Sequence, residues 1–278
     1  ETEREIPVRA DVDVVVCGGG PAGVTAAMTA AAGGSRVLLV EAYGFLGGVN
    51  TAAGVCGLGG WQHDLDGRPL IRGLTMEIMR RLARDGGADP ELVERLNQYV
   101  AERPSYREGN IGCYWIKTHP EYMKRTLEEM AIEAGVSLLY HADAVAPIME
   151  DNVLRGIYVE SKSGREAILA KVVIDCTGDG DIAARAGVLY EIGRPEDGLC
   201  QPMTLIYTVG NYHAAELRYV LGGDESDLDP LARNRYAGAI ERARERGEIT
   251  LNPNELFCAA TPPSYRHSET RTVNFTRV

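Results

Sequence analysis

Three glycines and one carboxylate carry the most legible chemistry in this sequence. Gly18, Gly20 and Gly23 stand in Gly18-Gly19-Gly20-Pro21-Ala22-Gly23, the spacing G-x-G-x-x-G, and Glu41 follows 23 residues after Gly18. Each position has a task in dinucleotide binding. Gly18 permits a tight turn, Gly20 puts no side chain between the backbone and a pyrophosphate, and Gly23 lets a helix come close to its strand. The N-terminus of the helix that follows offers free N–H groups and the positive end of its dipole to phosphates. Glu41 is placed to accept hydrogen bonds from a ribose diol, and its charge would repel a 2′-phosphate, which disfavours NADP. The other reading of the same residues is a tight strand–helix turn with no ligand.

These residues need a strand, a helix and a second strand around them, and the sequence supplies all three. Residues 12–16 are an apolar run of strand length, 25–32 are small and apolar as a closely packed helix should be, and 36–40 form a second strand that ends at Glu41. Residues 42–54 are rich in Gly and Ala and read as a second loop, and 56–66 read as irregular chain. Leu70, Leu74, Ile78 and Leu82, spaced by four, place an amphipathic helix over 69–85. Asp89-Pro90 reads as the cap and first residue of another helix to about 101. Thr118 or His119, followed by Pro120, starts a helix that runs to Ala134 and stops at Gly135.

Residues 136–140 read as a strand, and 143–149, 153–160 and 165–170 read as a three-stranded antiparallel meander with turns at Asp151-Asn152 and 161–164. A further buried strand, 171–175, leads into Cys176-Thr177-Gly178-Asp179-Gly180-Asp181 and a short helix at 182–186. The fold class expected is α/β: a Rossmann-like binding domain with a parallel sheet and an inserted β-meander, plus a smaller, partly helical cap region. Residues 1–60 and 115–200 are assigned to the binding domain, 61–114 to a helical insertion, and 201–278 to the start of a substrate or cap domain.

Composition excludes several function classes. A net charge of −11 argues against a general nucleic-acid surface. The six cysteines show no C-x-x-C spacing, so neither a zinc site nor a disulfide framework is read. They are read as thiols in a reducing compartment, which points to the cytoplasm. Cys17 and Cys176, at strand ends, are read as buried small hydrophobes. No apolar run is long enough to span a bilayer, and no leader peptide is read.

The three segments DVVVCGGGPAGVTAA (13–27), LLVEAYGFLGGVNTAAGV (38–55) and VVIDCTGDGDIAARAG (172–187) together resemble the FAD-dependent oxidoreductase family, flavoproteins of the glutathione-reductase type. The resemblance implies FAD as cofactor and hydride transfer from a small organic substrate to the flavin. It implies that Gly18, Gly20, Pro21, Ala22 and Gly23 hold the pyrophosphate, and that Glu41, with Ala42 beside it, takes the ribose. It implies that Gly47, Gly48, Asn50 and Thr51 form the second loop along the pyrophosphate and flavin. Ala144 or Val145 would offer backbone groups to the adenine, and Thr177, Gly178 and Asp179 would close over the cofactor.

His63 is the candidate base for proton removal beside the flavin, against the plainer reading of an exposed loop histidine. Trp61 is a candidate pocket wall, and Arg68 and Arg72 are candidate carboxylate ligands or a solvated helix face. A Gly-containing segment that meets the flavin ring, usual near the C-terminus of such proteins, is not found in 251–278, and 272–278 read as a strand whose partner lies further on. Three explanations stay open: a truncated member, a second polypeptide or homo-oligomer that completes the flavin site, or a different closure. The alternatives to a redox enzyme are an FAD-binding subunit that needs a partner chain and a non-redox lyase or isomerase.

Overall fold

The computed structural model describes residues 5–59, 72–91, 93–94, 97–98, 115–201, 203, 205–209, 242–243, 245–248, 259–261 and 271–274. His63, Trp61 and Arg68 lie outside the described residues, as does most of the proposed helical insertion. The chain divides into two compact units, one of residues 1–53 and 57–191, the other of residues 54–56 and 192–278.

The first unit is built on a six-stranded sheet in the order β5 (Ser137–Tyr140), β2 (Val37–Glu41), β1 (Val8–Cys17), β8 (Gly164–Asp175), β7 (Val153–Ser161), β6 (Ala142–Glu150). Strand β1 (Val8–Cys17) enters helix α1 (Pro21–Ala32), which returns to β2 (Val37–Glu41) parallel to β1, Val14 facing Val37 and Cys17 facing Val40. Helix α3 (Pro120–Glu133) leads in the same way to β5 (Ser137–Tyr140), which pairs parallel with β2. Pro120 is the first residue of α3, and the His119 side chain is its cap, Nδ1 accepting from the Glu121 amide at 3.2 Å.

Beyond β1 the sheet turns antiparallel through β6 (Ala142–Glu150), β7 (Val153–Ser161) and β8 (Gly164–Asp175). The meander is present, with one correction. The segments read separately as 165–170 and 171–175 are one strand of 12 residues. The first half of β8 pairs antiparallel with β7, and from Ala167 onward it pairs parallel with β1. The burial expected over 171–175 is not found: Lys171 and Val172 are exposed and 173–175 half-buried, whereas Ala167 and Ile168, where both neighbours flank the strand, are buried.

Alternation along β1 sends side chains to two cores. Val14 and Val16 pack with Val24, Ala27 and Met28 of α1 and with Leu127, Met130 and Ala131 of α3. Met76, Met79 and Leu82 of α2 (Leu74–Asp85) join the same core. Val15 and Cys17 pack on the other face with Ile157, Val159, Ile168 and Ile182. The meander therefore covers one face of the parallel strands and the helices cover the other.

Two expectations for irregular or unfinished chain are corrected. Within 56–66, Gly57–Gly59 forms strand β3, which pairs antiparallel with β4 (Trp115–Lys117). In the second unit β11 (Arg271–Asn274) has its partners within the chain, pairing antiparallel with β9 (Ile206–Val209) and β10 (Ala259–Thr261). A helix does begin at Pro90, with Asp89 accepting from the Glu91 amide at 2.9 Å. Among the described residues no helix is long and apolar enough to cross a membrane.

Candidate functional site

Three segments converge at the C-terminal ends of β1, β2 and β8. They are the glycine loop after β1, the loop after β2 and the turn after β8. Ligands of open α/β sheets bind at such strand ends.

The three motif glycines are needed for different reasons. Gly18 has φ +97°, and a Cβ there would overlap the Cys176 carbonyl. A Cβ on Gly23 would overlap the Gly18 carbonyl, so the helix can lie this close to the strand only as glycine. Gly20 is different. Its backbone is extended, with φ −69° and ψ −177°, and the nearest atom to a Cβ there is the Gly48 Cα at 4.0 Å. Neither its conformation nor packing among the described residues demands glycine at 20. The space above it is a cradle that a side chain would fill, which is what a pyrophosphate against the backbone requires.

Helix α1 starts at this cradle without a side-chain cap and with no acidic residue in its first turn. Its first N–H groups and dipole are thus left to an anion. Pro21 and Ala22 are exposed at the same end.

Glu41, the last residue of β2, is buried, 7 % exposed. Its Oε2 accepts from the Gly19 amide at 2.6 Å and its Oε1 from the Tyr43 amide at 2.7 Å. A carboxylate has about four acceptor positions, so two remain for a ribose diol. Ala42 is exposed beside it. The chain after Ala42 is held by Tyr43 stacked on Phe45, centroids 5.6 Å apart, and by Lys124 Nζ 4.0 Å from the Phe45 ring centroid.

The second loop clasps the first. The Gly47 amide donates to the Gly19 carbonyl at 2.8 Å, and Gly47 itself is left-handed at φ +111°. Gly48 lies so close to the first loop that a Cβ on it would sit 2.9 Å from the Gly20 Cα. Asn50 and Thr51 are buried, Asn50 tying the loop to β3 and Thr51 bonding within it. Asn50 Nδ2 donates to the Gly57 carbonyl at 3.0 Å, and the Thr51 hydroxyl reaches the Leu46 carbonyl at 2.9 Å.

The Thr177 turn lies against the glycine loop through the Cys176 amide, which donates to the Cys17 carbonyl at 2.8 Å. Gly178 is left-handed at φ +102°, and Asp179 is exposed. Asp175, not singled out from the sequence, organises the turn. Its Oδ1 accepts from the Thr177 amide at 3.1 Å and the Thr177 hydroxyl at 2.8 Å, and its Oδ2 accepts from the Ala183 amide at 2.8 Å. The Thr177 oxygen in turn accepts from the Asp181 amide at 3.0 Å. Burial pushes the Asp175 carboxyl up, but the amides of Ala183 and Thr177 and the Thr177 hydroxyl outweigh it and hold the group below its ordinary range. No local pattern in the sequence marks Asp175 for this role.

Burial, then the nearby Asp175 charge, pushes the Cys17 thiol up to about 12. Cys17 is the buried small hydrophobe expected of it, while Cys176 is only half-buried.

Ala144 and Val145 lie on β6, at the edge of the sheet. The register slips between Ala144 and Ala146, so Val145 is a bulge. Its carbonyl accepts from Arg185 Nη1 at 2.9 Å. His141, at φ +52°, makes the turn into β6, and its amide donates to the Tyr43 carbonyl at 3.3 Å. No cluster of metal-ligating side chains occurs among the described residues.

The residues present fit FAD: an open glycine cradle, an uncapped helix start and a buried acid at the second strand end. Comparison with known proteins agrees. The family model described as FAD dependent oxidoreductase matches residues 13–277. A digeranylgeranylglycerophospholipid reductase of Methanoculleus marisnigri is 32% identical over 178 residues, which is 63% of this chain and 41% of that protein. The chain thus spans less than half the length of that relative. A geranylgeranyl bacteriochlorophyll reductase-like protein from Thermoplasma acidophilum has a similar fold, with TM-score 0.50 and 14% identity over 96% of this chain and 56% of that one. The L-proline dehydrogenase from P. horikoshii gives TM-score 0.49 and 18% identity over 75% of this chain and 62% of that one.

Proposed function

Since this chain belongs to the FAD dependent oxidoreductase family, we propose that it binds FAD at the converging loops and transfers a hydride from a small organic substrate to the flavin. When bound, FAD supplies the two-electron chemistry, and the protein supplies binding, orientation and shielding. The observation that carries the reading is Gly20, whose lack of a side chain nothing among the described residues explains.

In this reading Gly18, Gly20, Pro21, Ala22 and Gly23 hold the pyrophosphate, and Glu41 and Ala42 border the ribose. Gly47 and Gly48 form the facing wall, with Asn50 and Thr51 acting as the struts of that wall. Ala144 and Val145 offer main chain to the adenine, and Thr177, Gly178 and Asp179 close the far side. The Val145 carbonyl is already engaged by Arg185. The Val145 amide, at the bulge, is the group proposed for a ring nitrogen. His63 is the proposed base, its near-neutral side chain suited to removing a proton as a hydride leaves.

The opposite direction, from reduced flavin to substrate, is favoured by the aligned relative being a reductase. Denaturing the purified protein and chromatographing the released nucleotide tests the cofactor. FAD supports the reading, and NAD or no nucleotide after reconstitution overturns it. Anaerobic bleaching of the flavin by candidate substrates supports oxidation. Anaerobic reoxidation of the photoreduced protein by an acceptor supports the second reading, and neither change with any candidate points to a non-redox role.

A further inference from the structure

Asp175 is not among the residues singled out from the sequence. It closes β8, whose neighbour on the sheet is the strand that feeds the glycine loop. From there its two oxygens gather three donors that belong to the turn beyond. The Thr177 hydroxyl is both donor and acceptor in this arrangement. It gives its proton to Asp175 and takes the Asp181 amide on its lone pair. Both ends of the Gly178-Asp179-Gly180 stretch are therefore tied to one carboxylate, directly at Thr177 and Ala183 and through Thr177 at Asp181.

The stretch between those ties needs the restraint. Gly178 and Gly180 are both left-handed, at φ +102° and +71°, and a Cβ on either would meet nothing within 4 Å. Packing does not hold them, and glycine is the residue with the most backbone freedom to lose. Among the described residues, no group is bonded to the amides of Gly178, Asp179 or Gly180. The conformation of an unpacked, glycine-rich turn beside Gly18 thus rests on hydrogen bonds at its two ends.

We propose that Asp175 is the positioning residue of the cofactor site, fixing the Thr177–Asp181 turn against the glycine loop in the one conformation that lets it close on FAD. The inference rests on the FAD reading of the site. It also explains the residue type. A carboxylate accepts on both oxygens, whereas an amide accepts on one and presents donors on the other side, which here would face an N–H.

Two measurements on the whole chain test this, one without flavin and one with it. Amide hydrogen exchange on the apoprotein should show faster exchange at Thr177, Asp181 and Ala183 in Asp175→Asn, with protection of the β1–β8 ladder unchanged. FAD titration of the same variant should show Kd raised about tenfold or more, as loss of hydrogen bonds to a charged group predicts. Thr177→Val should behave like Asp175→Asn, and the double variant should be no weaker than the weaker single, since both act through one turn.

Unchanged exchange in Asp175→Asn overturns the inference, and so does faster exchange with wild-type FAD affinity. Additive losses in the double variant would also overturn it. A wild-type chain that takes up no FAD overturns the cofactor reading instead, and the exchange data then decide by themselves whether Asp175 fixes the turn.

Discussion

The buried carboxylate of Glu41 accepts a hydrogen bond from the amide of Gly19, 2.6 Å away, in the middle of the glycine loop. The acid that ends the second strand therefore holds the loop that ends the first. Gly19 is glycine for the same reason: a Cβ there would lie 2.9 Å from Glu41 Oε2 and 2.6 Å from Leu46 Cδ2. Through the Gly19 carbonyl, which accepts from Gly47, the contact extends to the second loop.

Replacing Glu41 should therefore cost more than ribose contacts. Glu41→Ala removes the acceptor for Gly19 and Tyr43 as well, each charge-assisted bond being worth about 1.5–3 kcal/mol. FAD affinity is expected to fall about tenfold or more, with faster amide exchange at Gly19 in the apoprotein. Glu41→Gln keeps one acceptor oxygen and should fall between. Wild-type affinity with unchanged exchange in Glu41→Ala would contradict the assignment.

Gly20 and Gly23 should part company on substitution. Gly23→Ala forces a Cβ onto the Gly18 carbonyl and should lower the melting temperature of the apoprotein. Gly20→Val meets open space and allowed backbone, so the apoprotein should melt like the wild type while FAD binding is lost. Thermal melts with and without FAD separate the two. A Gly20→Val protein that keeps its flavin removes the pyrophosphate from this cradle.

The Asp175 network predicts a pH dependence of definite sign. The folded carboxyl titrates below its unfolded value of roughly 3.9, so its contribution to stability is complete above that value and is lost as pH falls through the folded one. The stability difference between wild type and Asp175→Asn should be constant from about pH 5 upward and shrink only in stronger acid. The thiol of its neighbour Cys17, raised to about 12, does not titrate in this window. Urea melts across the range measure it, and a difference that grows on acidification would reverse the assignment.

Thiol reactivity should follow burial. Cys17 is fully buried with its thiol raised by desolvation, while Cys200 is exposed. Brief alkylation of the folded protein near pH 8, read by peptide mass spectrometry, should modify Cys200 and spare Cys17. Equal labelling of both would show that the β1 end opens to solvent.

The glycine spacing, the apolar runs beside it and the acid at position 41 determined a dinucleotide-binding β-α-β unit from sequence alone. These signals are local, because a strand, a tight turn and a helix start are each specified by a few consecutive residues. The caps at His119 and Asp89 were legible for the same reason.

Tertiary structure alone decided the rest. That residues 164–175 form one strand with two partners depends on β7 and β1, distant in sequence. The pairing of 271–274 with 206–209 and 259–261 likewise rests on hydrogen bonds between segments that no local pattern links. Asn50 and Thr51 were read as part of the loop along the cofactor, and only the fold shows what their side chains bond, the Gly57 carbonyl on β3 and the Leu46 carbonyl. Asp175 was invisible for the converse reason: a carboxylate at a strand end becomes an organiser only when the chain beyond it folds back and brings its amides within reach.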